Sequence, residues 1–409
     1  MVKKLGLLPR LIIGIIAGIL IGLTGVEAFT RILATFSSIF GSFLSYTIPL
    51  LILGFVIPGI AELGGKAGKL LGITAGIAYG STLLAGTFAY FGSVLFLPAL
   101  VSGNESLTAV GNAVEPFFVI AMPPIMGVMT ALITAFVVGL GIAATNGKTM
   151  LSFMLEFQKI IKKVIEKIII PFLPLHIAGI FAQMAYSGEI VNTLGVFGSV
   201  FVFAIAMQFA FILIQYLVAA PIAKKNPFTS IKNMMTAYFT AIGTQSSAAT
   251  IPVTTQSIKK LKVSDEVAEF VGPLCATIHL SGSTIALVIC ALAIMTLTGN
   301  IGSFVETFPF IMMLGVTMVA APGVPGGAVM AALGLLESML GFTEVQLALM
   351  MAIYVAQDSF GTATNVTGDG AIALVVDTLS KKFKRPELQL DQEKSQQPAS
   401  AAAKKTSKA

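Results

Sequence analysis

Charged residues make up only 11% of the 409-residue chain, against 56% hydrophobic ones. No soluble domain of appreciable size can be cut from such a sequence. The net charge of +6 lies largely at the termini and in short loops, where it reads as a topology signal and not as a nucleic-acid surface. Cysteine is reduced to Cys275 and Cys290, fifteen apart in one apolar segment and without metal-ligand spacing, so neither a disulfide nor a thiolate metal site is expected. Histidine is reduced to His176 and His279, with no HExxH pattern. GxSxG, Walker and GxGxxG signatures are missing in a suitable context, so neither hydrolysis nor ATP-driven transport has support and the chain does not read as an enzyme.

What the sequence does have is apolar runs of spanning length, repeated from end to end, which point to an all-α polytopic membrane protein. Spans are expected at about 11–26, 32–60, 70–97, 117–144, 156–190 and 191–218. The basic pairs Lys66/Lys69 and Lys224/Lys225 place their loops in the cytoplasm, and the Lys/Arg-free stretch 102–116 reads as external. Ser81 and Thr82 put hydroxyls inside the third span, where bonding back to the preceding turn is the ordinary outcome. Residues 386–409, rich in Gln, Ala, Ser and Lys, read as a disordered cytoplasmic tail.

The pattern changes after Lys225. Residues 231–257 are apolar enough to be buried, yet their middle reads TAIGTQSSAATIPVTT, which suits a re-entrant hairpin with an irregular tip. A seventh span, about 267–298, is interrupted by ATIHLSGST. A second hairpin is expected over 301–340 with its tip at APGVPGGA, and an eighth span follows. That eighth span contains QDSFGTATNVTGDG, in which Asp358 and Asp369 stand eleven residues apart. About three helical turns separate them, so on a continuous helix they share a face with Thr362 and Asn365. A carboxylate at the centre of a membrane helix costs about 3 kcal/mol, so two on one stripe call for cationic partners, or for a neighbouring helix that satisfies a polar seam.

Hairpin followed by an interrupted span occurs twice. Paired interrupted segments in corresponding halves point to a transporter site, with helix ends supplying donors to anions and unwound carbonyls supplying ligands to ions. A channel filter also uses buried irregular backbone but would not explain the repeat.

DSFGTATNVTGD resembles the D-x-x-x-T-x-x-N-V-x-G-D of the last helix of the dicarboxylate/amino acid:cation symporters, the glutamate transporter homologues. QSSAATIPVT and GVPGGA are similar to the two hairpin tips of that family, and the likeness runs over about residues 1–384. The resemblance implies eight transmembrane helices plus two opposed re-entrant hairpins, assembled as a homotrimer in the plasma membrane with both termini cytoplasmic. Residues 1–70 and 117–190 would be scaffold helices 1–2 and 4–5. Residues 70–100 and 191–380 would form a transport domain that moves vertically against them.

Carried over, Asp358 matches the acid for the substrate α-amino group, Asn365 the residue near the α-carboxylate, and Thr362 a further contact. Ser246 and Ser247, Ser283, Gly361, and Gly323, Val324, Pro325 and Gly326 of the second tip complete the implied substrate set. The implied cation positions are Cys275, Thr277, His279, Ser281, Asn365 and Asp369. No cofactor is implied beyond the coupling ion, Na+ or H+, and the partners are an amino acid, a cation and the lipid bilayer.

Two departures matter. Gly361 stands where members for acidic amino acids have an arginine, so a side-chain carboxylate would be left unpaired at a cost of several kcal/mol. A neutral or small polar L-amino acid is therefore expected. In the seventh span the family's N-M-D-G-T is His279, Leu280, Ser281, Gly282, Ser283, which removes an acid from one cation site and offers a histidine that titrates near neutral pH. A proton-coupled or uncoupled exchanger is thus the rival within transport, and an ion channel the rival outside it.

Overall fold

A computed structural model describes residues 7–64, 69–101, 114–188, 190–297, 299, 301–319, 321 and 325–396. Gly323 and Val324 of the second tip, the loop 102–113 and residues 397–409 lie outside them. The described residues are helical almost throughout, with no strand among them.

In chain order the helices are α1 (Leu7–Leu23), α2 (Glu27–Gly64), α3 (Lys69–Val101), α4 (Val128–Thr145) and α5 (Lys148–Val164). A π turn, Ile165–Ile169, joins α5 to α6 (Ile170–Tyr186), and α7 (Ile190–Ile222) follows. The second half comprises α8 (Pro227–Thr244), α9 (Ser247–Lys260), α10 (Asp265–Ile278), α11 (Ser281–Leu297), α12 (Phe304–Val319), α13 (Gly327–Leu340) and α14 (Glu344–Gln396). Among the described residues five runs are long and apolar enough to cross a membrane: Glu27–Ala61, Leu70–Val101, Lys148–Tyr186, Leu194–Ile222 and Asp265–Leu297.

Two groups of helices pack more within themselves than with each other. The first joins α1 to α6 and sets α2 against α4, α5 and α6; the second sets α11 and α14 against α3, α7, α8 and α10. In the first group Gly14, Gly18 and Gly22 recur every four residues on α1. A Cβ at any of them would come within 2.4 Å of a backbone oxygen, that of Pro174, Ala178 or Ala182 respectively. Only glycine allows that approach, and it gives dispersion contact between helix backbones that lipid does not drive together. In the second group α11 is the most enclosed element, with nearly every residue buried.

Several boundaries differ from the sequence reading. The fourth span is shorter, because Pro116, Pro123 and Pro124 keep 114–127 out of helix and α4 starts only at Val128. The fifth carries the π turn just before Pro171 and Pro174, whose missing N–H groups free carbonyls of the preceding turn. The first tip is only Gln245 and Ser246, and Pro252 rides inside α9. The last helix continues to Gln396, well into 386–409, on a run of Glu, Leu, Gln and Lys that favours helix.

The first hairpin closes on itself. Asn233 Nδ2, near the start of α8, donates to the Lys260 carbonyl at the end of α9 over 3.3 Å, so the two helices run antiparallel. Asn226 opens α8 as an N-cap, accepting from Thr229 N–H at 3.0 Å, with Pro227 in the first turn. Ser303 and Glu306 form a capping box at the start of α12, and Thr343 and Gln346 form one at the start of α14.

Candidate functional site

Three helix N-termini meet at a small enclosed cavity of about 20 Å³, whose lining includes Ser246, Ser247, Ser283, Asp358, Thr362 and Asn365. One belongs to α9, where the Ser246 side chain caps the helix by accepting from Ala249 N–H at 3.2 Å. The second belongs to α11 and the third to α13, which contributes Ala328 to the lining. Each brings the positive end of a helix dipole, which favours an anionic group in the cavity. Among the described residues no cationic side chain lines it.

Against this positive field stands Asp358, buried on α14. Its Oδ2 accepts the backbone N–H of Gly326 at 2.7 Å. Gly326 has φ +75°, a left-handed conformation that glycine adopts without strain, and this turns its N–H toward the acid. Leu7 of α1 reaches the same tip, with its Cδ2 3.7 Å from where a Gly326 Cβ would stand. The Tyr354 hydroxyl lies beside Asp358 and Ser283 without a hydrogen bond of good geometry to either.

Asn365 joins the two broken elements. Its Oδ1 accepts from the N–H groups of Gly282 at 2.7 Å and Ser283 at 3.2 Å, and its Nδ2 donates to Ser283 Oγ at 2.9 Å. The interruption between α10 and α11 is therefore satisfied from outside: the orphan donors of α11 are capped by an amide on α14. His279 is the extended residue at the break, and its N–H still closes on the Cys275 carbonyl at 2.9 Å. Gly282 permits the contact, since a Cβ there would meet Thr364 Cβ at 2.4 Å and the Gly361 carbonyl oxygen at 2.5 Å.

One turn beyond Asn365 lies a second polar cluster. Asp369 Oδ1 is 2.9 Å from His279 Nδ1, both fully buried. His279 Nε2 is 3.1 Å from Ser81 Oγ, which accepts from Gln215 Nε2 at 2.9 Å. An ionised Asp369 can only accept, which would put the proton on Nδ1 and leave Nε2 to accept from Ser81. Asp369 Oδ2, Ser281 Oγ and Thr364 Oγ1 are buried without a hydrogen-bond partner among the described residues. An orphaned carboxylate oxygen suits a hard cation. Among the described residues no three His, Cys, Asp or Glu side chains cluster as a transition-metal site would require.

The residues singled out from sequence thus divide. Ser246, Ser247, Ser283, Asp358, Thr362 and Asn365 share the first cavity, with Gly326 bonded to Asp358 and Pro325 beside it in the tip. Gly361 packs against the start of α11, 3.5 Å from Ser283 Cα as measured from its would-be Cβ. Cys275, His279, Ser281 and Asp369 are buried around the break, whereas the Thr277 side chain is exposed and bonds back to the Leu274 carbonyl at 2.8 Å, so it does not join them. Thr82 bonds back to Ala78 at 3.0 Å as expected, but Ser81 does not, because His279 offers it a partner across the bundle.

The glutamines of α7 went unread. Gln208 and Gln215 are seven apart, hence on one face; Gln208 donates to the Gly282 carbonyl at 3.1 Å and Gln215 to Ser81. Two amides in an otherwise apolar span were the available signal.

A family model described as the sodium:dicarboxylate symporter family matches residues 7–379. The serine/threonine transporter SstT of Streptococcus suis is 27% identical over 342 residues, 80% of this chain and 94% of that protein. Excitatory amino acid transporter 1 of Ambystoma tigrinum is 30% identical over 210 residues, 50% of this chain and 37% of that protein. Neutral amino acid transporter B(0) of Mus musculus is 29% identical over 170 residues, 40% and 31% respectively. The matched stretch thus spans only about a third of the length of the two animal relatives. With the match running from α1 through the acids of α14, the chain belongs to the sodium:dicarboxylate symporter family, a family of transporters and not of enzymes.

Proposed function

We propose that this protein is a secondary active symporter that carries a neutral or small polar L-amino acid together with a cation. The observation that carries the reading is the meeting of three helix N-termini with one buried acid at the first cavity. An amino acid is a zwitterion: its carboxylate suits the positive N-terminal ends of α9, α11 and α13, and its ammonium suits Asp358. A second carboxylate on the substrate would find no cation among the lining residues and would be buried unpaired. The names of the streptococcal and mouse relatives, transporters of serine/threonine and of neutral amino acids, support the same choice.

A cavity of about 20 Å³ has room for roughly one water. Admission of an amino acid requires the second tip to withdraw, which frees Asp358 Oδ2 from Gly326; return of the tip encloses the cargo. The cation belongs at Asp369, whose Oδ2 lacks a partner. Asn365 lies between the two acids on α14 and holds the start of α11, so filling the cation site firms the wall of the substrate site, which is coupling in the thermodynamic sense.

The two packing groups support a scaffold of α1, α2 and α4–α6 and a moving unit of α3 and α7–α14, in eight spans plus two hairpins. A homotrimer in the plasma membrane with both termini cytoplasmic follows from the family reading. The test is uptake by purified protein in liposomes, with serine, threonine, alanine, cystine and aspartate, under an inward sodium gradient or with choline in its place. Sodium-driven, saturable uptake of the neutral amino acids is expected. Aspartate uptake with the neutral ones inactive overturns the substrate assignment, and uptake unchanged by choline overturns sodium coupling.

A further inference from the structure

Beside the transport site the bundle carries an apolar cavity of about 580 Å³ between α3, α7 and α14. Its rim residues Leu84, Phe91 and Val218 are exposed, so it opens on the lipid-facing surface, and Gly80 leaves it unfilled, with no atom within 4 Å of where a Cβ would stand. One helical turn further along the same two helices lies a second cavity of about 250 Å³, of different chemistry. Ala219 lines the first and Ile222 the second on α7; Val375 lines the first and Thr378 the second on α14. The second is walled by Lys224, Lys225, Lys262 and Lys381.

Its acid is already engaged. Asp377 takes the Lys381 ammonium at 2.6 Å on one oxygen and the N–H and hydroxyl of Ser264, at 3.0 and 2.9 Å, on the other. Lys224, Lys225 and Lys262 form no ion pair among the described residues. They follow the ends of α7 and α9, where cations are favoured by the helix dipoles, and the Lys225 N–H closes α7 onto the Ala220 carbonyl at 2.7 Å. Three uncompensated ammonium groups at one end of an apolar slot, on the side that basic loops assign to the cytoplasm, match an anion with a hydrocarbon tail.

We propose that an anionic glycerophospholipid of the cytoplasmic leaflet binds here, with an acyl chain in the α3–α7–α14 cavity and its phosphate among Lys224, Lys225 and Lys262. Gln215 lines the apolar cavity and also donates to Ser81, so the lipid chain lies against the outer end of the hydrogen-bond run that leads through His279 to Asp369. Occupancy therefore reaches the cation cluster through a single glutamine.

The experiment is native mass spectrometry of the full-length protein titrated with phosphatidylglycerol, phosphatidylcholine or glycerol 3-phosphate. Three proteins are compared: the parent chain, Lys224→Asn/Lys225→Gln/Lys262→Asn, and Gly80→Leu. Asparagine tolerates the left-handed backbone that Lys224 and Lys262 hold, and leucine at 80 enters open space, so both variants fold. Thermal unfolding checks that they do.

Phosphatidylglycerol is expected to bind the parent protein in preference to phosphatidylcholine. Each lysine removed weakens it about fivefold, roughly a hundredfold for all three. Gly80→Leu weakens it at least tenfold with the lysines intact. The proposal is overturned if the triple variant stays within twofold of the parent, or if glycerol 3-phosphate competes as well as the lipid, which would mark a free-phosphate site. It is equally overturned if Gly80→Leu leaves lipid binding intact, or alters the oligomeric state instead, which would mark a contact with a second copy.

Discussion

Replacing Asn365 by alanine removes three hydrogen bonds at once: those from the Gly282 and Ser283 N–H groups and the one to Ser283 Oγ. A buried donor left without a partner costs about 1–3 kcal/mol. The truncation also enlarges a cavity that has room for roughly one water, so water recovers part of the loss, and the net destabilisation is expected at about 2–4 kcal/mol. Ser283→Ala breaks only the third bond and leaves both N–H groups capped, for about 1 kcal/mol. Thermal unfolding followed with a thiol-reactive dye suits this protein, because Cys275 and Cys290 are both free and buried and become reactive only as the second bundle opens. The midpoint for Asn365→Ala should fall about two to four times as far as for Ser283→Ala, roughly in the ratio of those energies. Equal shifts, or an Asn365→Ala protein within about 0.5 kcal/mol of the parent, would refute the view that this amide caps α11.

Asp358→Asn keeps an oxygen for the Gly326 N–H but removes the charge. Its unfolding midpoint should stay near the parent value while amino-acid binding, read by isothermal titration, weakens at least thirtyfold, or about 2 kcal/mol; unaltered affinity would dismiss it as the ammonium partner. Gly282→Ala drives a methyl to 2.4 Å from Thr364 Cβ and 2.5 Å from the Gly361 oxygen, and a main-chain oxygen cannot rotate away, so a loss of about 1–3 kcal/mol and of most uptake is expected. A variant that keeps both the parent melting curve and the parent uptake rate would show that α11 and α14 separate freely.

Both ends of the site were legible because they break the local rule. Polar residues at helical spacing inside an apolar run marked Asp358, Thr362, Asn365 and Asp369 on α14. Gly and Ser where Leu and Val were due marked the interruption at His279 and Leu280 and the tip at Gln245 and Ser246. What stayed hidden depends on a partner far away in sequence. Ser81 has the same local options as Thr82, and only the arrival of His279 across the bundle decides between bonding back and bonding across. The bond from Gly326 to Asp358 likewise arises from folding, since no spacing rule joins residues 326 and 358. The Pro123-Pro124 pair and the Gly14, Gly18, Gly22 repeat were in view and carried the information; the first shortens a span and the second chooses a neighbour.

The contact between Leu7 and Gly326 crosses from one packing group to the other. Three glycines press α1 so closely onto α6 that Leu7 is held by the first group, whereas Gly326 lies just before α13 and bonds to Asp358 of α14. If the tip withdraws as proposed, Leu7 stands as a doorpost that it must clear. Trimming or enlarging that one leucine would then change the clearance of the tip from outside the cavity, through Gly326 alone.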